Sequence, residues 1–307
     1  MPGVTVEYID IEEDPLEFME NNWPEKFDII VANPPYSKKL DLKFLDKCYD
    51  LVNDEIVFVH PATLFIERSG NLKIYEHILE KIKSTIKSIT IFNGNAAFNI
   101  GIFSPCSITH LSKINKGDKF FLKDIMNHNE VYLDKNKIKD ISYFGYNENF
   151  ISLDKKIKPV NNLGTKRIGN PSKYTFNIQF SNISGHIRVG ERTSWLDMDS
   201  PLTQPDFFAL VRRSTFINES SEIQQEHIWG FATKEEAENF IIYCKTDFAR
   251  TCLALTKINR NTNFKCLSRI PWMDFTQKWT DKKLYKHFNI TKEEQVFIKE
   301  IIPPYYD

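Results

Sequence analysis

The residues whose types and order could do chemistry are Asn33, Pro34, Pro35 and Tyr36, which follow directly on the apolar run Phe27 to Ala32. An amino nitrogen conjugated to a purine ring or a carbonyl is a poor nucleophile, because its lone pair is delocalised into the π system. A side-chain amide oxygen (Asn33) and a backbone carbonyl (Pro34) can accept its two N–H bonds, favour a pyramidal nitrogen and leave the lone pair aimed at a methyl donor. Acceptors placed in this way stabilise a transition state by on the order of a few kcal/mol. Two prolines hold them in an extended, donor-free turn, and Tyr36 can stack on a planar substrate. The plainer alternative is a strand ending in a proline turn, since Pro cannot donate to a ladder and pushes the preceding residue out of the helical region. That explains one proline. It does not explain Asn, a second Pro and an aromatic in this order at the carboxyl end of a strand, where α/β folds place their ligands.

Such a turn needs a sheet behind it. Up to about Lys113 strands and helices alternate: a strand at 4–9, a short helix at 14–22, a buried strand at 27–32, a helix at 40–52 with Leu45, Cys48 and Val52 on one face, a strand at 55–60, a helix at 71–85, and strands at 86–92 and 106–112. This order predicts an α/β domain over residues 1–115, with a mostly parallel sheet and helices on both faces. From 116 the texture changes to short strands, Gly and Asn turns and scattered aromatics, so residues 116–307 read as a second, mixed α+β domain. It closes with helices at 233–255 and 291–302, each opened by a capping box, Thr233 with Glu236 and Thr291 with Glu294.

Composition narrows the class. No stretch approaches the ~20 apolar residues of a membrane span, and the opening Met1-Pro2-Gly3-Val4 is no signal peptide, so a cytoplasmic protein is expected. The five cysteines (Cys48, Cys106, Cys244, Cys252, Cys266) contain no Cys-x-x-Cys pair, which signals neither a zinc site nor a disulfide framework. Residues 1–115 carry 11 Lys+Arg against 17 Asp+Glu, a balance of −6, and the remainder 29 against 24, or +5. That asymmetry fits a catalytic part joined to a part that meets a polyanion.

"FDIIVANPPY" resembles motif IV of the amino-methyltransferases that use S-adenosylmethionine, and within them of the gamma-class DNA adenine methyltransferases of type II restriction-modification systems. "EIVFVHPATLF" is similar to the strand and turn that follow, "IKSITIFNGNAAFNIGIFSPCSITHLSK" to the last two strands, and the stretches from 231 to 255 and 270 to 302 to the closing segments of type II modification enzymes. The resemblance implies a partial class I (Rossmann-like) methyltransferase sheet followed by a target-recognition domain. It implies catalytic roles for Asn33, Pro34, Pro35 and Tyr36 and stacking of Phe98 on the face of the target base opposite Tyr36. It also implies contact of Asp14 with the cofactor's adenine amine. Independently of the family, Phe98 is equally a core or loop aromatic, and Asp14-Pro15-x-Glu17 is a good helix start.

The family holds the methionine end of its cofactor with a Gly-rich turn, whereas no two of the eleven glycines here form a Gly-x-Gly. By family order the strand at 4–9 would be the third of the sheet, and the first two would sit between it and the strand at 27–32. Their absence would leave raw sheet edges, so the expectation is a split enzyme completed by a second polypeptide supplying the cofactor loop, a shortened chain or a decayed gene. Methylating adenine in duplex DNA requires flipping the base while a second domain grips the duplex. Lys166, Arg167, Lys173, Arg188, Arg192, Arg212, Arg213, Lys257, Arg260 and Lys265 could meet phosphates or guanine edges, and Asn259, Asn261 and Asn263 could pair with bases. Each is equally a solvated surface residue. Two competing functions are a methyltransferase acting on protein glutamine or RNA, and a non-catalytic DNA-binding subunit or decayed methylase.

Overall fold

The computed structural model describes residues 16–17, 26–66, 72–99, 105–114, 117–167, 176–181, 209–212, 226–256 and 264–302. The strand expected at 4–9 and most of the helix expected at 14–22 lie outside the described residues. The chain divides into two compact units, Met1–Phe65 with Asn71–Lys139, and Ile66–Gly70 with Asp140–Asp307.

Among the described residues the first unit is built on six strands: β1 (Phe27–Ala32), β2 (Val52–Pro61), β3 (Ile86–Phe92), β4 (Cys106–Ser112), β5 (Lys119–Asp124) and β6 (Asn129–Asp134). Their order across the sheet is β1-β2-β4-β3-β5-β6. The mostly parallel sheet expected from the sequence is a mixed one. Among the described residues only β1 with β2 and β3 with β5 pair in parallel, while β4 runs back between β2 and β3, and β5 and β6 form a hairpin. The four-residue turn Ile125 to His128 allows no other pairing, because parallel strands need a crossover of about a dozen residues. Asp124 closes that turn by accepting from Asn127 N at 3.1 Å and Nδ2 at 2.8 Å. Since the sheet continues to Asp134, the compact unit reaches Lys139, past the division at 115 drawn from the sequence.

Two helices supply the apolar cover expected of this unit. In α1 (Leu40–Leu51) the side chains of Leu42, Leu45 and Cys48 are buried, and in α2 (Leu72–Ile82) those of Tyr75, Ile78, Leu79 and Ile82 are, a spacing of i, i+3, i+4 and i+7 that makes one face. Each such side chain contributes roughly 1.5–3 kcal/mol by leaving water. Strand β1 departs from expectation. Phe27, Ile29 and Val31 are 39%, 62% and 75% exposed, so the strand read as buried is an edge with a ladder partner on the β2 side only, among the described residues.

The second unit contains the antiparallel sheet β8-β7-β9, from β7 (Phe176–Ser181), β8 (Ala209–Arg212) and β9 (Glu226–Phe231). Its helices are α3 (Glu148–Lys156), α4 (Lys234–Cys244), α5 (Asp247–Ala254), α6 (Asp281–His287) and α7 (Lys292–Ile301). Both expected capping boxes form, at Thr233 with Glu236 and at Thr291 with Glu294. The single helix expected over 233–255 is two helices. Thr246 adopts an extended backbone and caps α5 through Ala249 N, while the carboxylate of Asp281 accepts from Asp247 N and Phe248 N, so the second helix starts afresh. Phe231, Phe240, Trp272 and Phe275 pack ring to ring at the centre of the core. Polar groups buried there find partners, Trp229 Nε1 on Leu163 O at 2.9 Å and Tyr243 Oη on Pro271 O at 2.8 Å.

Candidate active site

The parallel pairing of β1 with β2 brings the ends of both strands to one edge of the sheet, and β4 begins there because Cys106 pairs with Pro61 on one side and Phe92 on the other. The Asn33 to Tyr36 turn leaves β1 at this end. Asn33 and Pro35 are exposed, Pro34 is buried and Tyr36 is half-buried. The Tyr36 hydroxyl donates to Asn33 Oδ1 at 2.7 Å, which orients the amide oxygen and leaves one of its two lone pairs free to accept. Burial, then the nearby Cys106 and Asp41, pushes the Tyr36 phenol up to about 12, so it stays a donor throughout the neutral range. Sequence reasoning assigned Tyr36 to stacking and missed this bond, which the i, i+3 spacing of a turn permits.

The backbone that follows is strained. Lys38 and Lys39 both take left-handed conformations, with φ of 51° and 61°, at a cost of roughly 1–2 kcal/mol each for residues with a Cβ. The Lys39 ammonium lies over the Tyr75 ring at 4.4 Å from its centroid, which helps hold the bend. Helix α1 then starts without a side-chain N-cap, and the buried Asp41 carboxylate accepts from the backbone N–H groups of Asp41 and Leu42. Burial raises Asp41 to about 6 against those hydrogen bonds and the charge of Lys39.

Sequence reasoning passed over a second polar group, near the carboxyl end of β2. His60, at the end of β2, is fully buried, with Nε2 2.8 Å from Thr109 Oγ1, and Ser107 Oγ donates to its carbonyl oxygen at 3.2 Å. Its Nδ1 has no hydrogen-bond partner. Burial lowers its pKa to about 4, so the ring is neutral at neutral pH. The signal for it was the polar His60 closing an otherwise apolar strand.

Phe98 ends a short helix, Gly94–Phe98, that follows β3, and it is 38% exposed with its ring against Phe92 at 6.0 Å. Strands β1 and β3 run the same way with two strands between them, so Tyr36 and Phe98 stand at the same end of the sheet across three strand spacings, or roughly 14 Å. No contact joins them. Asp14 lies outside the described residues.

Of the expected DNA contacts, Lys166 and Arg167 are exposed, and Arg167 Nε donates to Gly164 O at 3.2 Å. Arg212 ends β8, and Lys265 falls in the helical turn Phe264–Leu267. Lys173, Arg188, Arg192, Arg213, Lys257, Arg260, Asn259, Asn261 and Asn263 lie outside the described residues. The five cysteines are buried and free, no group of described residues suits a metal ion, and no described helix is long and apolar enough to cross a membrane.

No protein-family model and no curated protein matches this chain. Among solved structures it is similar to the type I restriction-modification methyltransferase subunit from Streptococcus thermophilus, at 19% identity and TM-score 0.29 over 38% of this chain and 32% of that one. It is also similar to the M protein of the type I restriction enzyme EcoKI, at 15% identity and TM-score 0.30 over 36% of this chain and 28% of that one. The type IIG restriction endonuclease BpuSI matches at 11% identity and TM-score 0.36 over 94% of this chain and 50% of that one. The chain thus spans half or less of the length of each of these proteins. With overlaps this partial, the chain's own residues carry the functional reading.

Proposed function

We propose that this chain is the amine-activating and DNA-gripping part of an enzyme that methylates the exocyclic amino group of adenine in double-stranded DNA, with S-adenosylmethionine as methyl donor. The observation that carries the reading is the exposed amide oxygen of Asn33, fixed by the Tyr36 hydroxyl at 2.7 Å at the carboxyl end of β1. An amine entering there would give one N–H to Asn33 Oδ1 and the other to the Pro34 carbonyl. Its lone pair would then be released from the ring and directed away from the turn. Both acceptors work without proton uptake, so the amine's proton leaves to solvent after transfer. Tyr36 and Phe98 would flank the flipped base, and the strained Lys38–Lys39 bend is the kind of backbone found where geometry is held for chemistry.

S-adenosylmethionine, when bound, supplies an electrophilic methyl group. The described residues do not by themselves fit it: no two glycines of the chain are spaced as Gly-x-Gly, and Asp14 is not among the described residues. We therefore assign the cofactor cradle to a second polypeptide or segment that completes the sheet beside β1, whose exposed Phe27, Ile29 and Val31 suit such cover. The same lack favours a second reading, a DNA-binding subunit without catalysis of its own. Calorimetric titration with S-adenosylmethionine, alone and with any second polypeptide that restores methyl transfer, separates the two. Incubation of the completed enzyme with labelled cofactor and duplex DNA should yield N6-methyladenine on nucleoside analysis. Label in glutamine, in RNA or in cytosine would sink the substrate assignment.

A further inference from the structure

The two helices of the first unit cover one face of its sheet. Helix α1 joins β1 to β2 and α2 joins β2 to β3, so both connections link parallel strands and step across the sheet in one direction. Right-handed crossovers then put both helices on the same side, where Lys81 of α2 bonds the Asp46 carboxylate of α1. One set of alternate strand residues is buried, as in Ile56 and Phe58 of β2, Ile89 and Ile91 of β3 and Leu111 of β4. The other set is not. Ile29 and Val31 of β1 are exposed, Ile108 of β4 is 37% exposed, and Val57 and Val59 of β2 are half-buried. The ladder sets them side by side, Val31 opposite Val57 and Val59 opposite Ile108, as one apolar patch over β1, β2 and β4. The rest of this face is more polar. Ser88 and Thr90 of β3 continue the rows of His110 and Ile108, Lys123 of β5 bonds Glu130 of β6 at 2.8 Å, and Phe121 and Tyr132 pack on each other with centroids 5.0 Å apart. That half suits water, whereas a parallel, apolar pair such as β1 and β2 is of the kind that sheets cover on both sides.

We propose that this patch seats an amphipathic helix of the polypeptide that completes the sheet beside β1, a proposal that rests on the divided enzyme of the reading above. Size and hand choose the occupant. Three strands about 4.8 Å apart, carrying three rows of side chains, give a footprint of roughly 200–300 Å². One helix of about 10 Å diameter covers that width, and the footprint is well short of the ~800 Å² per partner that a stable pairing of two copies needs. The hand is set by the sheet order. Strands that step outward from β1, against the direction of β1 to β2 to β3, carry their right-handed crossovers on the opposite face, which is the open one. A parallel strand laid along the free side of β1 and followed by its helix therefore supplies the edge pairing and the cover together. Val31 stands two residues before Asn33, so this helix would brace the strand that carries the amine-binding turn.

The isolated chain is tested first, with the apolar dye anilinonaphthalene sulfonate. Ile108→Lys alters an exposed side chain, so the urea midpoint should hold while dye fluorescence falls several-fold. A steep drop in the midpoint would mean that the chain's own residues pack on the patch, and would overturn the proposal. A dimer in sedimentation that Ile108→Lys disperses would give the face to a second copy, with the same consequence. In assembly with a polypeptide that restores methyl transfer, Ile108→Lys should weaken association by at least about tenfold. Ile108 lies two strands in from the edge, so that loss is not one of edge pairing. Tyr132→Ser, on the more polar half of the face, should leave association unchanged. A photoreactive side chain in place of Val57 should join partner residues three or four apart in sequence, and joining at alternate residues would mean a strand and not a helix. A monomer that binds S-adenosylmethionine and methylates DNA unaided would remove the divided enzyme and this helix with it, whereas full association by Ile108→Lys removes the helix alone.

Discussion

Acidification should loosen the first unit through one side chain, His60. Its ring is fully buried between Phe58 and Phe65 at the end of β2, and its pKa is lowered from the ordinary 6.5 to about 4. A base whose folded pKa is depressed binds its proton first in the unfolded state. As pH falls below about 6.5 the unfolded chain gains protons that the folded chain refuses, and stability declines until the folded pKa near 4 is reached. A gap of about 2.5 pH units corresponds to roughly 3 kcal/mol. His60→Gln keeps an amide that can reach Thr109 Oγ1 and has no titration. Hydrogen exchange of peptides covering β2 and β4, corrected for the intrinsic pH effect, reports the opening free energy of this unit. The difference between the native chain and His60→Gln should shift by roughly 3 kcal/mol against the native chain between pH 7 and pH 4. A difference independent of pH over that range would refute the reasoning.

Asp41 should act in the opposite sense: its pKa is raised from 3.8 to about 6, so the folded state holds the proton more tightly and stability is lost as pH rises through that window. After allowance for partial solvation of the carboxylate, Asp41→Asn should be more stable than the native chain by roughly 2 kcal/mol at pH 8 and equal to it near pH 4. Urea unfolding at the two pH values decides, and a variant weaker at both would show that the carboxylate's hydrogen bonds outweigh its burial. In the second unit Lys156 Nζ lies 2.7 Å from Oε2 of Glu294, whose side chain is 3% exposed. Lys156→Met should cost roughly 2–3 kcal/mol by stranding that carboxylate, read from the fluorescence of Trp229, Trp272 and Trp279, and a loss below about 0.5 kcal/mol would mean the pair is solvated.

Much of the first unit was legible because local pattern and tertiary role agree there. Strands β3 and β4 fall where the apolar runs 86–92 and 106–112 place them, and the face of α2 follows from its spacing. Burial of β1 was misread, since an apolar run records that a strand can be covered and not which neighbour covers it. Strands β5 and β6 were folded into the second domain because Phe120, Phe121 and Leu122 form only a short apolar run between Lys119 and Lys123, which does not reveal the sheet joined. The helix break at Thr246 depends on Asp281, distant in sequence, although Thr246-Asp247 is itself a cap signature. At the candidate site the Asn33 to Tyr36 turn announced itself by residue type. His60 and Asp41 did not, because their interest comes from burial, which three strands and a helix create together.

The direct test of amine activation at this turn is single-turnover methyl transfer to duplex adenine, with the chain completed by whatever supplies its cofactor loop. Asn33→Ala should slow the chemical step by at least about a hundredfold, the range for a lost transition-state hydrogen-bonding group. Tyr36→Phe, which frees the Asn33 amide to turn while keeping the ring, should slow it by roughly two- to tenfold. Transfer at the unaltered rate by Asn33→Ala would contradict the assignment of this turn as the amine-activating site.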